Sequence, residues 1–259
     1  MVRIAGGKYR FQVKGVELEG GGNSYSDPGD GVDVQYPWEP RPNRFHSQFV
    51  FVTPYFIDTT PVTQAAFAEY LKKAGLPTDR YRFLRNWDWL TQFVKIKKLI
   101  LKKFSMPMPA PGNGSLPATY IGFAEAQAYC RSLGRRLPTE IEWQYAGQGN
   151  RTGSDGEALL FPWGQSDNAS VPLCTRSPRA EKNNFFGPEP VGKHSPGGDS
   201  AFGVKEMVGN VWQMTDEYVD PHTCSVILDG GSNYRPAGSK WYLPETPNFL
   251  GEHQKYFDG

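Results

Sequence analysis

Apolar residues alternate with polar ones over residues 1–18, a period of two that predicts a strand. Residues 19–45 lose the pattern, fill with Gly, Pro, Asn and Asp, and read as a long loop. Alternation returns in "SQFVFVTPYFIDTTPVT" (47–63), where Phe49, Phe51 and then Tyr55, Ile57 are spaced two apart and Pro54 breaks the run. The period then lengthens to that of a helix. In "TQAAFAEYLKKAG", Phe67, Tyr70 and Leu71 share a face, Thr63 is placed to cap the start and Gly75 to end it. A second helix, 123–134, carries Phe123, Ala126, Cys130 and Leu133 at helical spacing and stops at Gly134. A third, 138–146, opens on a capping box, Thr139 with Glu142 three residues on. Its Ile141 and Tyr145 lie on one face, with Trp143 beside them.

Residues 76–118 break this order and read as an irregular insertion in a single domain spanning 1–259. Within it "KIKKLILKKF" (95–104) sets five Lys among apolar residues. The pattern fits an amphipathic helix packed by its apolar face with solvated lysines, and also a membrane-surface or anionic-partner role. After 147 the chain becomes loops and short strands. Helices early and short strands late predict an α+β fold with little regular secondary structure, not alternating βαβ units.

Composition narrows the function classes. With 259 residues and a net charge of +1, the chain can bury a real core and carries no global field that selects nucleic acid. No apolar run reaches the length of a membrane span. Three cysteines, Cys130, Cys174 and Cys224, do not make a disulfide framework by count. No apolar signal core is visible near Met1, while Asn113, Asn150 and Asn168 open glycosylation sequons, a pointer to export that leaves the compartment unassigned.

Taken in series, "YFIDTTPVTQAAFAEYL", "AYCRSLGRRLPTEIEWQYAGQG", "FPWG", "GNVWQMTDEY" and "GGSNYRP" resemble the formylglycine-generating enzyme (sulfatase-modifying factor) family, over about residues 2 to 240. The resemblance implies one compact domain related to the C-type lectin fold, with Trp212 of "GNVW" in the core. It also implies a calcium site on the same loop, with ligands from the Glu206 side chain, the Gly209 and Val211 carbonyls, and Gln213. The family usually has Glu where this chain has Gln213 and an amide where it has Glu206, so the acid has moved. A second calcium site would fall at Asn168, Ala169, Asn183 and Phe185, with Asn183 in place of the usual Asp. The competing reading of both loops is a turn held by hydrogen bonds.

The family oxidises a cysteine to an aldehyde with copper and oxygen, through two cysteines downstream of the "GGS" motif. Here the residues from Gly230 to Gly259 contain no cysteine, so that pair maps onto nothing. The usual closing "GFR" strand is also missing, and Cys130 matches a family cysteine whose usual partner lies in that segment. His222 and Cys224 are two apart, and with Cys174 or His194 form the remaining metal-ligand candidates. The histidine triad of the related sulfoxide synthases of ergothioneine synthesis is not reproduced by four scattered histidines.

Two expectations follow. One is a non-catalytic domain binding a protein or small-molecule ligand through its loops, with Asn233, Tyr234, Arg235, Trp241 and Tyr242 as the contact surface. The alternative is a copper- or iron-dependent thiol oxidase whose C-terminal motif or partner domain lies outside this chain. The sequence leaves open whether the chain is an enzyme.

Overall fold

A computed structural model of the chain describes residues 1–13, 16–18, 33, 35–43, 45–75, 114–119, 121–151, 159, 161–164, 188–220, 225–231 and 253–257. Most of the 76–118 segment, with "KIKKLILKKF", lies outside them. Its contacts divide the chain into two compact units: 61–136 with 189–191, and 1–60 with 137–188 and 192–259.

The smaller unit is built on two helices, α1 (Gln64–Lys73) and α2 (Phe123–Ser132). Thr63 caps α1, its hydroxyl accepting from the Ala66 N–H at 3.2 Å. Gly122 precedes α2, where the Glu125 carboxylate reaches back to the Gly122 N–H at 2.9 Å. α1 follows the predicted periodicity, with Phe67, Ala68 and Leu71 buried. On α2 the predicted face is corrected, since Phe123 and Tyr129 are the buried residues and Leu133 is exposed; the Phe67 and Tyr129 rings stack at 5.4 Å. Cys130 is half-buried at the edge of this cluster, the role of a small apolar residue. Beyond α2 the chain turns through Gly134 at φ 68°, the left-handed conformation glycine adopts at least cost.

The larger unit holds the strands. β1 (Val2–Ile4) pairs antiparallel with β5 (Tyr55–Ile57), and β2 (Gly7–Val13) with β4 (His46–Val52). A third sheet runs β3 (Val16–Leu18), β8 (His253–Phe257), β7 (Ser225–Asp229), β6 (Gln213–Asp220), parallel at β3–β8 and antiparallel elsewhere. The sequence pattern leaves the chain without a closing strand. Near its end the chain forms β8, with the sequence "HQKYF", paired with β7 and β3.

Alternation along β2 sends Tyr9, Phe11 and Val13 into the core, where they meet Trp143 and Tyr145 of the third helix, α3 (Glu140–Gln148). On β4 the inward set is His46, Val50 and Val52, so Phe49 and Phe51 point outward. α3 is not amphipathic as its spacing suggests: every residue but Ile141 is fully buried. Its polar side chains each meet at least one hydrogen-bond partner, which is what makes that burial tolerable. Gln144 donates to the Gln12 carbonyl at 2.8 Å and accepts from the Gln12 N–H at 3.3 Å and the Tyr9 hydroxyl at 3.2 Å. The capping box is present in full: the Glu142 N–H donates to the Thr139 hydroxyl at 3.2 Å, and the Thr139 N–H to the Glu142 carboxylate at 2.9 Å.

Candidate functional site

The loop from Glu206 into β6 is where the sequence concentrates its candidate ligands, and it lies over α3. Three of its residues take left-handed backbone: Glu206 at φ 57°, Gly209 at φ 80° and Asn210 at φ 62°. Such a conformation is uncommon for a residue with a side chain and persists when its surroundings fix it. The fixing contacts are hydrogen bonds. Glu206 is 3% exposed; its carboxylate accepts from the Gly192 N–H at 2.8 Å and from the Asn210 amide at 3.0 Å. Gln213 spans the turn, its amide donating to the Glu206 carbonyl at 2.5 Å and accepting from the Trp143 indole N–H at 3.0 Å. The Gly209 carbonyl accepts from the Val211 N–H at 2.8 Å, and the Gly209 N–H donates to the Gly230 carbonyl at 2.7 Å.

Gly230, in the "GGS" motif, closes the arrangement from the β7 side. A Cβ there would stand 2.6 Å from the Met207 carbonyl oxygen and 3.1 Å from the Trp143 ring, and φ is 86°. Only glycine fits both the space and the angle.

Burial pushes the Glu206 carboxyl above its ordinary range; the Asn210 and Gly192 hydrogen bonds and the nearby buried His194 offset part of that rise. One acid among amide and peptide N–H groups makes a poor cage for calcium, which needs six to eight oxygens. The Glu206 carboxylate, the Gly209 carbonyl and the Gln213 amide oxygen each already face an N–H donor. Their geometry fits the hydrogen-bonded turn. Among the described residues there is no group of three or more His, Cys, Asp or Glu able to hold a metal ion.

The remaining residues of "GNVWQMTDEY" serve α3. The Glu217 carboxylate accepts from the Glu140 N–H at 3.1 Å, in the first turn where a negative charge favours the helix. The Asp216 N–H donates to the Pro138 carbonyl at 2.8 Å, tying β6 to the approach of the same helix. Trp212 is only half-buried; the fully buried indole beside this loop is Trp143. The expectation that Trp212 is the core residue is therefore corrected: a core position on α3 takes that part.

A second polar network went unread in the sequence. Glu140 is fully buried and accepts from the Tyr36 hydroxyl at 2.6 Å. Glu39 holds both ends of the neighbouring turn, accepting from the Tyr36 N–H at 3.0 Å and from the ring Nδ1–H of buried His46 at 2.8 Å. Tyr36 stacks on Trp38 at 4.8 Å and meets the His46 ring edge-on at 4.6 Å. Glu140 carried a signal as the acid at the start of a capped helix, but its partners come from a stretch that reads as loop.

Asn168, Ala169, Asn183 and Phe185, the surface set Asn233, Tyr234, Arg235, Trp241 and Tyr242, and the ligand candidates Cys174, His222 and Cys224 all lie outside the described residues. Among the described residues no helix is long and apolar enough to cross a membrane.

Comparison with known proteins gives a consistent picture. A model of the sulfatase-modifying factor enzyme 1-like domain matches residues 1–254. The chain is similar to the inactive C-alpha-formylglycine-generating enzyme 2 of Mus musculus, 28% identical over 235 residues, covering 82% of this chain and 66% of that protein. It is also similar to hercynine oxygenase of Mycolicibacterium smegmatis, 29% identical over 197 residues, covering 74% of this chain but 44% of that one. Among solved structures, PvdO from Pseudomonas aeruginosa superposes with a TM-score of 0.57 at 17% identity, over 99% of this chain and 88% of that chain, a likeness of fold.

Proposed function

The chain belongs to the sulfatase-modifying factor enzyme 1-like family, and we propose that within it this is a non-catalytic domain that binds a ligand or protein partner through its loops. The observation that carries this reading is the chemistry missing where the family oxidises thiols. No cysteine lies between Gly230 and Gly259, so within these residues no pair of soft thiolates stands ready to hold Cu(I). A similar relative bears the name of an inactive enzyme, which supports the same reading.

In this proposal the scaffold is the α+β, C-type-lectin-related fold expected of the family. The Glu206–Gln213 turn holds its shape by hydrogen bonds and leaves calcium aside. The contact surface is the aromatic and cationic set Asn233, Tyr234, Arg235, Trp241 and Tyr242, residue types that dominate binding energy at interfaces.

Similarity to a hercynine oxygenase favours a second reading, a copper- or iron-dependent thiol oxidase. Its metal ligands would come from Cys174, His222 and Cys224, or from outside this chain. Titration with Cu(I) against a chromophoric chelator separates the two. The non-catalytic reading expects the chelator to keep the copper. Stoichiometric Cu(I) transfer to the protein that is lost in Cys174→Ser or Cys224→Ser contradicts it.

A further inference from the structure

The outer face of the β1·β5 and β2·β4 pairs is aromatic along one side and cationic along the other. Register sets Arg3 opposite Phe56, Lys8 opposite Phe51, and Arg10 opposite Phe49. Both pairs turn their alternate residues, Ile4, Tyr9, Phe11, Val13 and Val52 among them, into one core. The cross-strand Phe and cation pairs are therefore what this ribbon presents outward. Phe49 is 60% exposed, Phe51 74% and Phe56 62%, and Phe45, just before β4, is 69% exposed. The Lys8 ammonium stands 4.8 Å from the Phe49 ring centroid, and the Arg10 guanidinium bonds the Ser47 hydroxyl at 2.9 Å. None of the four strands contains an acidic residue. In a chain whose charges nearly balance, this is a local positive field beside clustered exposed rings, the combination that marks an interaction surface.

We propose that this face docks on an anionic lipid surface. The Phe rings enter the boundary between headgroups and acyl chains, while Arg3, Lys8 and Arg10 lie against the headgroup charges. Charge decides the occupant. A second copy seated face to face would bring two sets of three cations together with no carboxylate from these strands to pair them. The surface is made of residues other than those of the proposed binding function and stands or falls independently of it.

Flotation of the purified chain with vesicles tests the proposal. Binding to mixed phosphatidylserine–phosphatidylcholine vesicles, absent on pure phosphatidylcholine and weakened by salt, is the expected result. Lys8→Gln and Arg10→Gln should each lower the partition coefficient about fivefold, and Phe49→Ala with Phe51→Ala about tenfold or more. These side chains are exposed or half-buried, so unchanged circular dichroism and thermal unfolding show that the fold survives. No binding to the anionic vesicles, or binding that neither set of substitutions alters, overturns the proposal. So does concentration-dependent self-association, or binding of an acidic peptide such as polyglutamate, that is lost with the same substitutions while vesicles are ignored.

Discussion

The indole N–H of Trp143 donates to the side-chain oxygen of Gln213 at 3.0 Å, across 70 residues of sequence. The other end of the same amide donates to the Glu206 carbonyl. An indole only donates and a carbonyl only accepts, so the amide orientation is fixed by its partners. Gln213→Leu would leave a buried donor and an acceptor unmatched, and about 1–3 kcal/mol of stability should be lost. Gln213→Glu keeps the acceptor for Trp143 but turns an oxygen toward the Glu206 carbonyl, and should cost a similar amount. Urea unfolding of the two variants checks both.

Glu206 should make stability depend on pH. Its folded pKa is raised by burial above the ordinary 4.5, so the folded chain holds that proton more tightly than the unfolded chain. The contribution is fully present below the ordinary value and is lost as pH rises through the folded one. The stability of the parent chain relative to Glu206→Gln should therefore fall as pH rises from the ordinary carboxyl value through the raised folded one. A difference that stays flat or grows over that range would refute the assignment.

Calcium should leave this loop unmoved. Thermal unfolding with calcium and with EDTA should give the same midpoint, because the Glu206, Gly209 and Gln213 oxygens already face N–H donors. A calcium-dependent rise that disappears in Glu206→Ala would show that the loop opens to a cation.

Gly230→Ala should be the most damaging small substitution near the site. The new methyl meets the Met207 carbonyl and the Trp143 ring at a left-handed φ. A loss of roughly 3 kcal/mol or more is expected from combined crowding and strain. Thr139→Ala, which removes one half of the α3 capping box, should cost only about 1 kcal/mol. Equal effects in denaturant titration would mean that the backbone yields at Gly230.

Local signals were the legible ones. Thr63, Gly134 and the Thr139–Glu142 box act within four residues of themselves, so the sequence displays them whole. Trp212 and Trp143 could not be ranked this way, because what buries Trp143 is β2 and the Gly230 turn, far away in the chain. Phe49 and Phe51 show the same limit from the other side. Their period of two predicts a strand, but Val50 and Val52 have an equal claim on the core, and only the pairing with β2 decides between the faces. Burial of Glu140 was hidden because its partner, Tyr36, comes from a Gly- and Pro-rich stretch. The four candidate ligands at 206–213 were found together by resemblance. Their hydrogen-bond donors, Gly192, Asn210 and Trp143, were not, since nothing in local spacing aims a donor.

The measurement that tests the central claim most directly is turnover. The purified chain would be loaded with Cu(I), given oxygen and a cysteine-containing peptide, and the peptide mass followed for conversion of thiol to aldehyde. A non-catalytic domain leaves the peptide mass unchanged. Repeated conversion by the chain, lost when Cys174, His222 or Cys224 is replaced, would contradict that claim and make the chain a thiol oxidase.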